Sequence, residues 1–239
     1  MERFGIVPQP KESLMKKISL FALAAFVASA GAFDEYGPMA KGKTEVDVMA
    51  SYDLSPESGG FTPSLQAKYG IIDGLDVEIF AAMPTDPEFG LDQPNIALKY
   101  NDANTGFGGF VAIDLPFASE KINADPSAYF HFAVQYLKTF DKIALTDWLK
   151  FSSSFEDGDD GVIDLYVKPQ YNVSDKIGPY LGLEWITSGK FEGYTIAFKP
   201  GINYVVNDMV SIEGQVPVAK MKDVDDLYVG AYAGAYFVF

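Results

Sequence analysis

The chain holds one histidine, His131, and no cysteine. Its other chemistry-bearing side chains recur at every second position: Asp76 with Glu78, and Gln66 with Lys68. In an extended strand that spacing puts both members of a pair on one face. Followed along the chain, it gathers Glu45, Asp47, Asp76, Glu78, Asp114, Asp164, Glu184 and Glu213 on like faces. Lys68, Lys99, Lys168 and Lys199 join them, with Gln66, Asn95, Gln135, Gln170, Asn203 and Gln215. Isolated charges cannot sit in an apolar core. These faces must therefore meet water or form a dense paired network. Eight carboxylates against four lysines would attract cations and repel anions in a hydrated space.

His131 shares its face with Tyr129 and Gln135. A histidine beside a nucleophile can act as a general base. No nucleophile motif accompanies this one, so it reads as a hydrogen-bonded side chain. The chain reads as a non-enzyme. Glu156-Asp157-Gly158-Asp159-Asp160-Gly161 offers oxygens of the kind calcium takes. It lacks the spacing of an EF-hand loop and reads as a solvated acidic loop. Neither a metal nor a cofactor is expected. Without cysteine there is no disulfide, thiolate metal site or lipid-anchored cysteine.

The elements that must position these residues are strands. Apolar residues alternate with the polar ones in twelve stretches. Phe61, Pro63, Leu65, Ala67 and Tyr69 oppose Thr62, Ser64, Gln66 and Lys68. Tyr194, Ile196, Phe198, Pro200, Ile202 and Tyr204 oppose Thr195, Ala197, Lys199, Gly201 and Asn203. The stretch from Ile143 to Phe155 is the exception, since its phase blurs at Asp147-Trp148. Tight turns such as Ile71-Ile72-Asp73-Gly74 alternate with longer, more acidic segments such as 84–93 and 118–127. Pro63, Pro169, Pro179 and Pro200 fall inside strands and predict local bulges.

The pattern predicts an all-β, transmembrane, antiparallel up-and-down β-barrel of about twelve strands, with ten or fourteen as alternatives. Ten residues at ~3.3 Å, tilted ~45°, rise about 23 Å, close to the apolar band of an outer-membrane barrel. Aromatics cluster at two levels of the apolar face. Tyr52, Phe130 and Trp185 mark the outer one. Tyr69, Tyr100, Tyr136, Tyr171 and Tyr204 mark the inner one. The last stretch, Leu227 to Phe239, alternates to the final residue. An exposed apolar edge would aggregate, and a closed barrel removes it by pairing last strand with first. Tyr236, Phe237 and Phe239 resemble the C-terminal insertion signal of bacterial outer-membrane barrels, which implies an insertion machinery and periplasmic chaperones as partners.

Met15-Lys16-Lys17, an apolar run from Ile18 to Ala28 and small residues to Ala32 read as a secretory signal peptide. Residues 15–32 are thus expected to be removed, with cleavage after Ala30 nearly as good. Residues 1–14 read as an upstream extension, 33–42 as a periplasmic segment and 43–239 as the barrel. Location in the cell outer membrane follows. The net charge of −15 argues against a nucleic-acid partner. The expected partners are the lipid bilayer and small solutes. The sequence leaves the solute and the oligomeric state open.

Three stretches carry a resemblance to a family: Ser64-Leu65-Gln66-Ala67-Lys68-Tyr69-Gly70-Ile71, Asn95-Ile96-Ala97-Leu98-Lys99-Tyr100 and Gly108-Gly109-Phe110-Val111-Ala112-Ile113-Asp114-Leu115-Pro116. They resemble the outer-membrane family of meta-pathway phenol-degradation proteins, small transporter-like barrels. In that family a strand ending in Tyr-Gly precedes one with Leu-Lys-Tyr, then one ending in Leu-Pro. Family members usually continue with Thr-Gly, where this chain has Phe117-Ala118. The resemblance implies uptake of small aromatic or hydrophobic compounds. The residues leave two other readings, a structural or surface-interaction barrel with a filled lumen and a lipid-modifying barrel enzyme. The pore-lining set expected for a channel is Lys68, Asp76, Glu78, Lys99, Asp114, His131, Asp164, Lys168, Glu184, Lys199 and Glu213.

Overall fold

A computed structural model describes residues 39–239, except 54–59, 87, 121, 124, 125, 155, 157, 192 and 223. The expected extension, the signal peptide and most of the periplasmic segment lie outside the described residues. The strands are β1 (Thr44–Asp53), β2 (Phe61–Ile72), β3 (Leu75–Ala82), β4 (Asn95–Asn101), β5 (Phe107–Asp114) and β6 (Tyr129–Phe140). They continue as β7 (Ile143–Ser153), β8 (Val162–Tyr171), β9 (Ile177–Ser188) and β10 (Tyr194–Asn207). Last come β11 (Val210–Gln215), β12 (Val218–Met221) and β13 (Leu227–Val238). From β1 to β11 each strand pairs antiparallel with the next, β11 pairs with β13, and β13 pairs back onto β1. Segments β11 and β12 both lie between β10 and β13, so they are one stave interrupted at Val216-Pro217. The result is a closed barrel of twelve staves.

Closure uses the last residue. Phe239 N–H donates to Thr44 O at 2.8 Å, and Thr44 N–H donates to Phe239 O at 3.2 Å. The sheet therefore has no free edge along its length.

The barrel is inside-out relative to a soluble one. Val134 is 65% exposed and Leu149 55%, while Asp47 and Tyr166 are 0% exposed on the inner face. Val134, Leu149 and Leu165 are neighbours in register on the outer wall. Such a belt of apolar side chains needs lipid. Tyr69, Tyr100, Tyr171 and Tyr204 are exposed at strand ends on the side of the short turns. They form the interfacial level expected from sequence. Both ends of the barrel chain lie on the side of these short turns.

The two-residue turns explain the hairpins. Gly74 has φ +87°, the left-handed conformation that a tight hairpin turn requires. A Cβ at Gly74 would also stand 2.7 Å from Asn101 O of the next hairpin. Asp141 takes the same backbone region, φ 51°, between β6 and β7.

Two expectations are corrected. The predicted bulges are not at the prolines: Pro63 pairs with Ala50 and Pro200 with Leu181 in unbroken register. Register shifts fall instead at Gly70/Ile72 and Val205/Asn207, next to turns. Pro63, Pro169, Pro179 and Pro200 all fall in the outward phase of their strands. Among the described residues pairing lapses beside prolines without a register shift: between β8 and β9 from Val167↔Leu183 to Gln170↔Tyr180, at Pro169, and between β10 and the β11–β12 stave from Gly201↔Gln215 to Phe198↔Val218, at Pro200 and Pro217. The second correction concerns β7. Its phase is regular, with Trp148, Lys150 and Ser152 inward and Leu149 and Phe151 outward. Asp147 shares the outward phase opposite Tyr136, at the interfacial level rather than in the apolar belt.

Candidate functional site: the barrel interior

Every expected pore-lining residue points inward. Lys68, Asp76, Glu78, Lys99, His131, Asp164, Lys168, Glu184, Lys199 and Glu213 are all buried. Asp114 is half-buried near the outer end of β5. Sequence reasoning missed Lys150, because the phase of β7 could not be read across Asp147-Trp148. Among the described residues the interior wall thus sets Glu45, Asp47, Asp76, Glu78, Asp114, Asp164, Glu184 and Glu213 against Lys68, Lys99, Lys150, Lys168 and Lys199. That is eight carboxylates to five lysines, and Asp53 adds a carboxylate at the outer end of β1.

One group of these charges belongs to β1–β4. Lys68 bridges Glu45 and Asp47, the latter at 2.8 Å. These three meet because Glu45 and Lys68 are paired across the β1–β2 ladder. Gln66 donates to Glu78 Oε2 at 3.1 Å, and Lys99 Nζ lies 3.9 Å from Glu78 Oε1. Asp76 accepts the backbone N–H of Met39 at 3.1 Å. The segment before β1 therefore packs against the short-turn end of the barrel, where Gly42 N–H also donates to Gly70 O at 2.8 Å. Gly70 makes room for it, since a Cβ there would stand 2.2 Å from Ala40 O.

A second group lies on β7–β11 and β13. Lys150 pairs with Asp164 at 2.9 Å, Lys199 with Glu184 at 2.9 Å and Lys168 with Glu213 at 3.2 Å. Aromatic rings pack between them. Trp148 stacks on Tyr166 with centroids 4.3 Å apart. Tyr236 donates to Glu213 Oε2 at 2.6 Å and shares a 2.7 Å hydrogen bond with Tyr232. Gln215 donates to the Tyr180 hydroxyl at 3.1 Å. Each buried ion would cost several kcal/mol if left alone, so the pairing is what permits the burial.

Above the first group, further from the short turns, lies an apolar patch that alternation alone did not foresee. Met49, Phe80, Ala82, Ala97, Phe110, Ala112 and Tyr232 cluster on the inner wall. The signal was present in the inward phase of Phe80 and Phe110. It was hidden by the assumption that inward means polar.

At the outer end, His131 Nε2 lies 3.0 Å from Asp114 Oδ2, and its Nδ1 lies 2.8 Å from Ser152 Oγ. Asn95 donates to Asp114 Oδ1 at 2.6 Å. His131 and Ser152 meet because they are directly opposed across β6 and β7. Nδ1 is thus hydrogen-bonded to Ser152, while Nε2 faces the Asp114 carboxylate.

The acidic loop beyond β7 is organised by its own hydrogen bonds. Asp159 accepts from Ser153 Oγ, from Ser154 N and Oγ, and from Gly161 N at 2.8 Å. Partial burial opposes ionisation, but the bonds from Ser154, Gly161 and Ser153 outweigh it and hold the carboxyl below the usual aspartate range. A depressed pKa gives stability that is complete above the unfolded value and is lost as pH falls through the folded one. Amide hydrogen exchange should therefore show Ser154 and Gly161 protected down past the ordinary aspartate pKa of about 3.9. Loss of that protection while the pH is still above 5 would contradict this account.

Comparison with known proteins supports the fold. No protein family matches the chain, and no curated protein matches it in sequence. Among solved structures, an outer membrane channel from Pseudomonas putida F1 superposes with a TM-score of 0.67 at 16% identity, covering 85% of this chain and 98% of that one. The KdgM porin in complex with disordered oligogalacturonate gives 0.60 at 11% identity, covering 82% and 99%. The CymD monoaromatic hydrocarbon channel gives 0.53 at 9% identity, covering 84% and 89%. The chain has the outer-membrane β-barrel fold.

Proposed function

We propose that this barrel is a narrow passive channel for small solutes across the outer membrane, with a preference for cations over anions. The observation that carries the reading is the interior wall, where eight carboxylates face five lysines. A wall with surplus negative charge lowers the energy of a cation in transit and raises that of an anion. The likeness in fold to the Pseudomonas putida channel and the KdgM porin is consistent with it. The test is conductance of the purified barrel in planar bilayers, with reversal potentials in a KCl gradient. The expected result is a small conductance with the reversal potential displaced toward that of potassium. Displacement toward chloride would refute the charge assignment.

A finer reading follows from the resemblance to the phenol-degradation family, namely small aromatic solutes. The interior apolar patch around Phe80 and Phe110 supports it, as does the likeness to a monoaromatic hydrocarbon channel. A second reading, a filled structural barrel, is favoured by the near-complete burial of Asp47, Lys68 and Tyr166. Under either reading, residues 15–32 serve as a cleaved signal, and Tyr236, Phe237 and Phe239 engage the insertion machinery.

A further inference from the structure

We propose that Gln135 is the septum of the channel, the side chain a solute must displace to pass between two accessible vestibules that follow β6. The inference rests on the channel reading and names the residue that limits passage.

The inner wall is not packed evenly. On β2, β3 and β4 the inward residues are buried throughout, from Thr62 to Gly70, from Asp76 to Ala82 and from Asn95 to Asn101. The inward phase of β6 reads differently. Away from the short turns, Tyr129 and Ala133 are half-buried. Towards the short turns, Leu137 is half-buried and Thr139 is exposed. Register partners extend both stretches: Asp114 opposes Tyr129, while Thr146 and Ala144 oppose Leu137 and Thr139. These three partners are half-buried too. Accessible surface therefore enters the barrel along β6 from both mouths. It is interrupted at Gln135, which is 4% exposed.

The surroundings of that level make Gln135 its moving part. The residues opposed to it in register are Gly108, which has no side chain, and Trp148. Trp148 is pinned, because its indole stacks on Tyr166 with centroids 4.3 Å apart. Gln135 is not: its Nε2 is buried and finds no acceptor among the described residues. A buried donor without an acceptor costs free energy. A rotamer that carries the amide to water or to a solute recovers that cost, so packing alone holds the septum shut.

Gln135 is neutral, and its amide is both donor and acceptor. It therefore limits passage by size, whereas the carboxylate surplus elsewhere on the wall sets the sign of the permeant.

The test uses the purified barrel, whose chain has no cysteine of its own. Ala133→Cys, Leu137→Cys and Ala97→Cys are made singly, with heat-modifiable gel mobility as the check on folding. Ala97 is 2% exposed on the packed wall of β4. Methyl methanethiosulfonate should modify the first two about tenfold faster than the third, because thiol reaction tracks access. KCl conductance in planar bilayers then addresses the septum itself. Gln135→Ala should raise it about twofold or more with the cation preference unchanged, since the charged groups of the wall remain. Gln135→Leu keeps the volume and should not raise it. Gln135→Ser takes the place of the alanine variant if that does not fold. Equal labelling at the three positions overturns this inference and leaves the channel reading standing. So does a conducting barrel in which Gln135→Ala conducts no better than the wild type. A wild type that passes no ions overturns the channel reading. The septum then stands if Gln135→Ala conducts and falls if it does not.

Discussion

Lys199→Met should destabilise the folded barrel by about 3–5 kcal/mol, the cost of leaving a buried charge without its partner. Glu184 is 3% exposed, and Lys199 is its ion-pair partner at 2.9 Å. The charges of Asp164 and Lys150 also act on Glu184. Lys150 is committed to Asp164 at 2.9 Å, and Asp164 repels Glu184, so neither replaces Lys199. Adding Glu184→Gln to Lys199→Met should recover most of the loss, because the orphaned charge is gone. Urea unfolding in lipid vesicles measures both. The result separates the two readings of the interior. A single-variant loss under 1 kcal/mol would mean that water solvates Glu184 and that the space around it is open. A loss in the expected range means that this stretch of wall is dry until a solute enters.

The second large effect concerns the outer wall. Leu149→Arg should cost about 2–4 kcal/mol, the penalty for a cationic side chain at the bilayer midplane. Leu149 sits mid-strand in β7, is 55% exposed and is flanked in register by Val134 and Leu165. Arginine there has only lipid tails around it. Tyr171→Arg is the control. Tyr171 lies at the periplasmic end of β8, where the same change should cost about 0–1 kcal/mol. Equal costs at the two positions would place the membrane elsewhere on the barrel.

Much of the fold was legible in the residues because strand alternation is local. Gln66 and Lys68 share a face whatever the rest of the chain does, and the pattern from Leu227 to Phe239 demands a partner for its edge. Those two facts, repeated along the chain, imply a closed barrel with an apolar exterior. The position of each expected interior residue followed for the same reason. Asp76 and Glu78, or Lys168 and Gln170, are placed by counting in twos.

What counting could not reach is everything that depends on which strand faces which. Lys150 was hidden because Asp147 and Trp148 both break the hydropathy alternation, and only pairing with β6 and β8 fixes their phase. The pairing of Lys168 with Glu213 joins residues 45 positions apart, a contact set by the curvature of the closed wall. The interior apolar patch arises likewise, from Met49, Phe80, Phe110 and Tyr232 converging from four strands. The residues alone determined the barrel and the sign of its interior charge, because these follow from period-two alternation. Only the tertiary structure decided which carboxylate meets which lysine and which ring lies beneath it. Those contacts depend on register, shear and closure, and no local pattern encodes them.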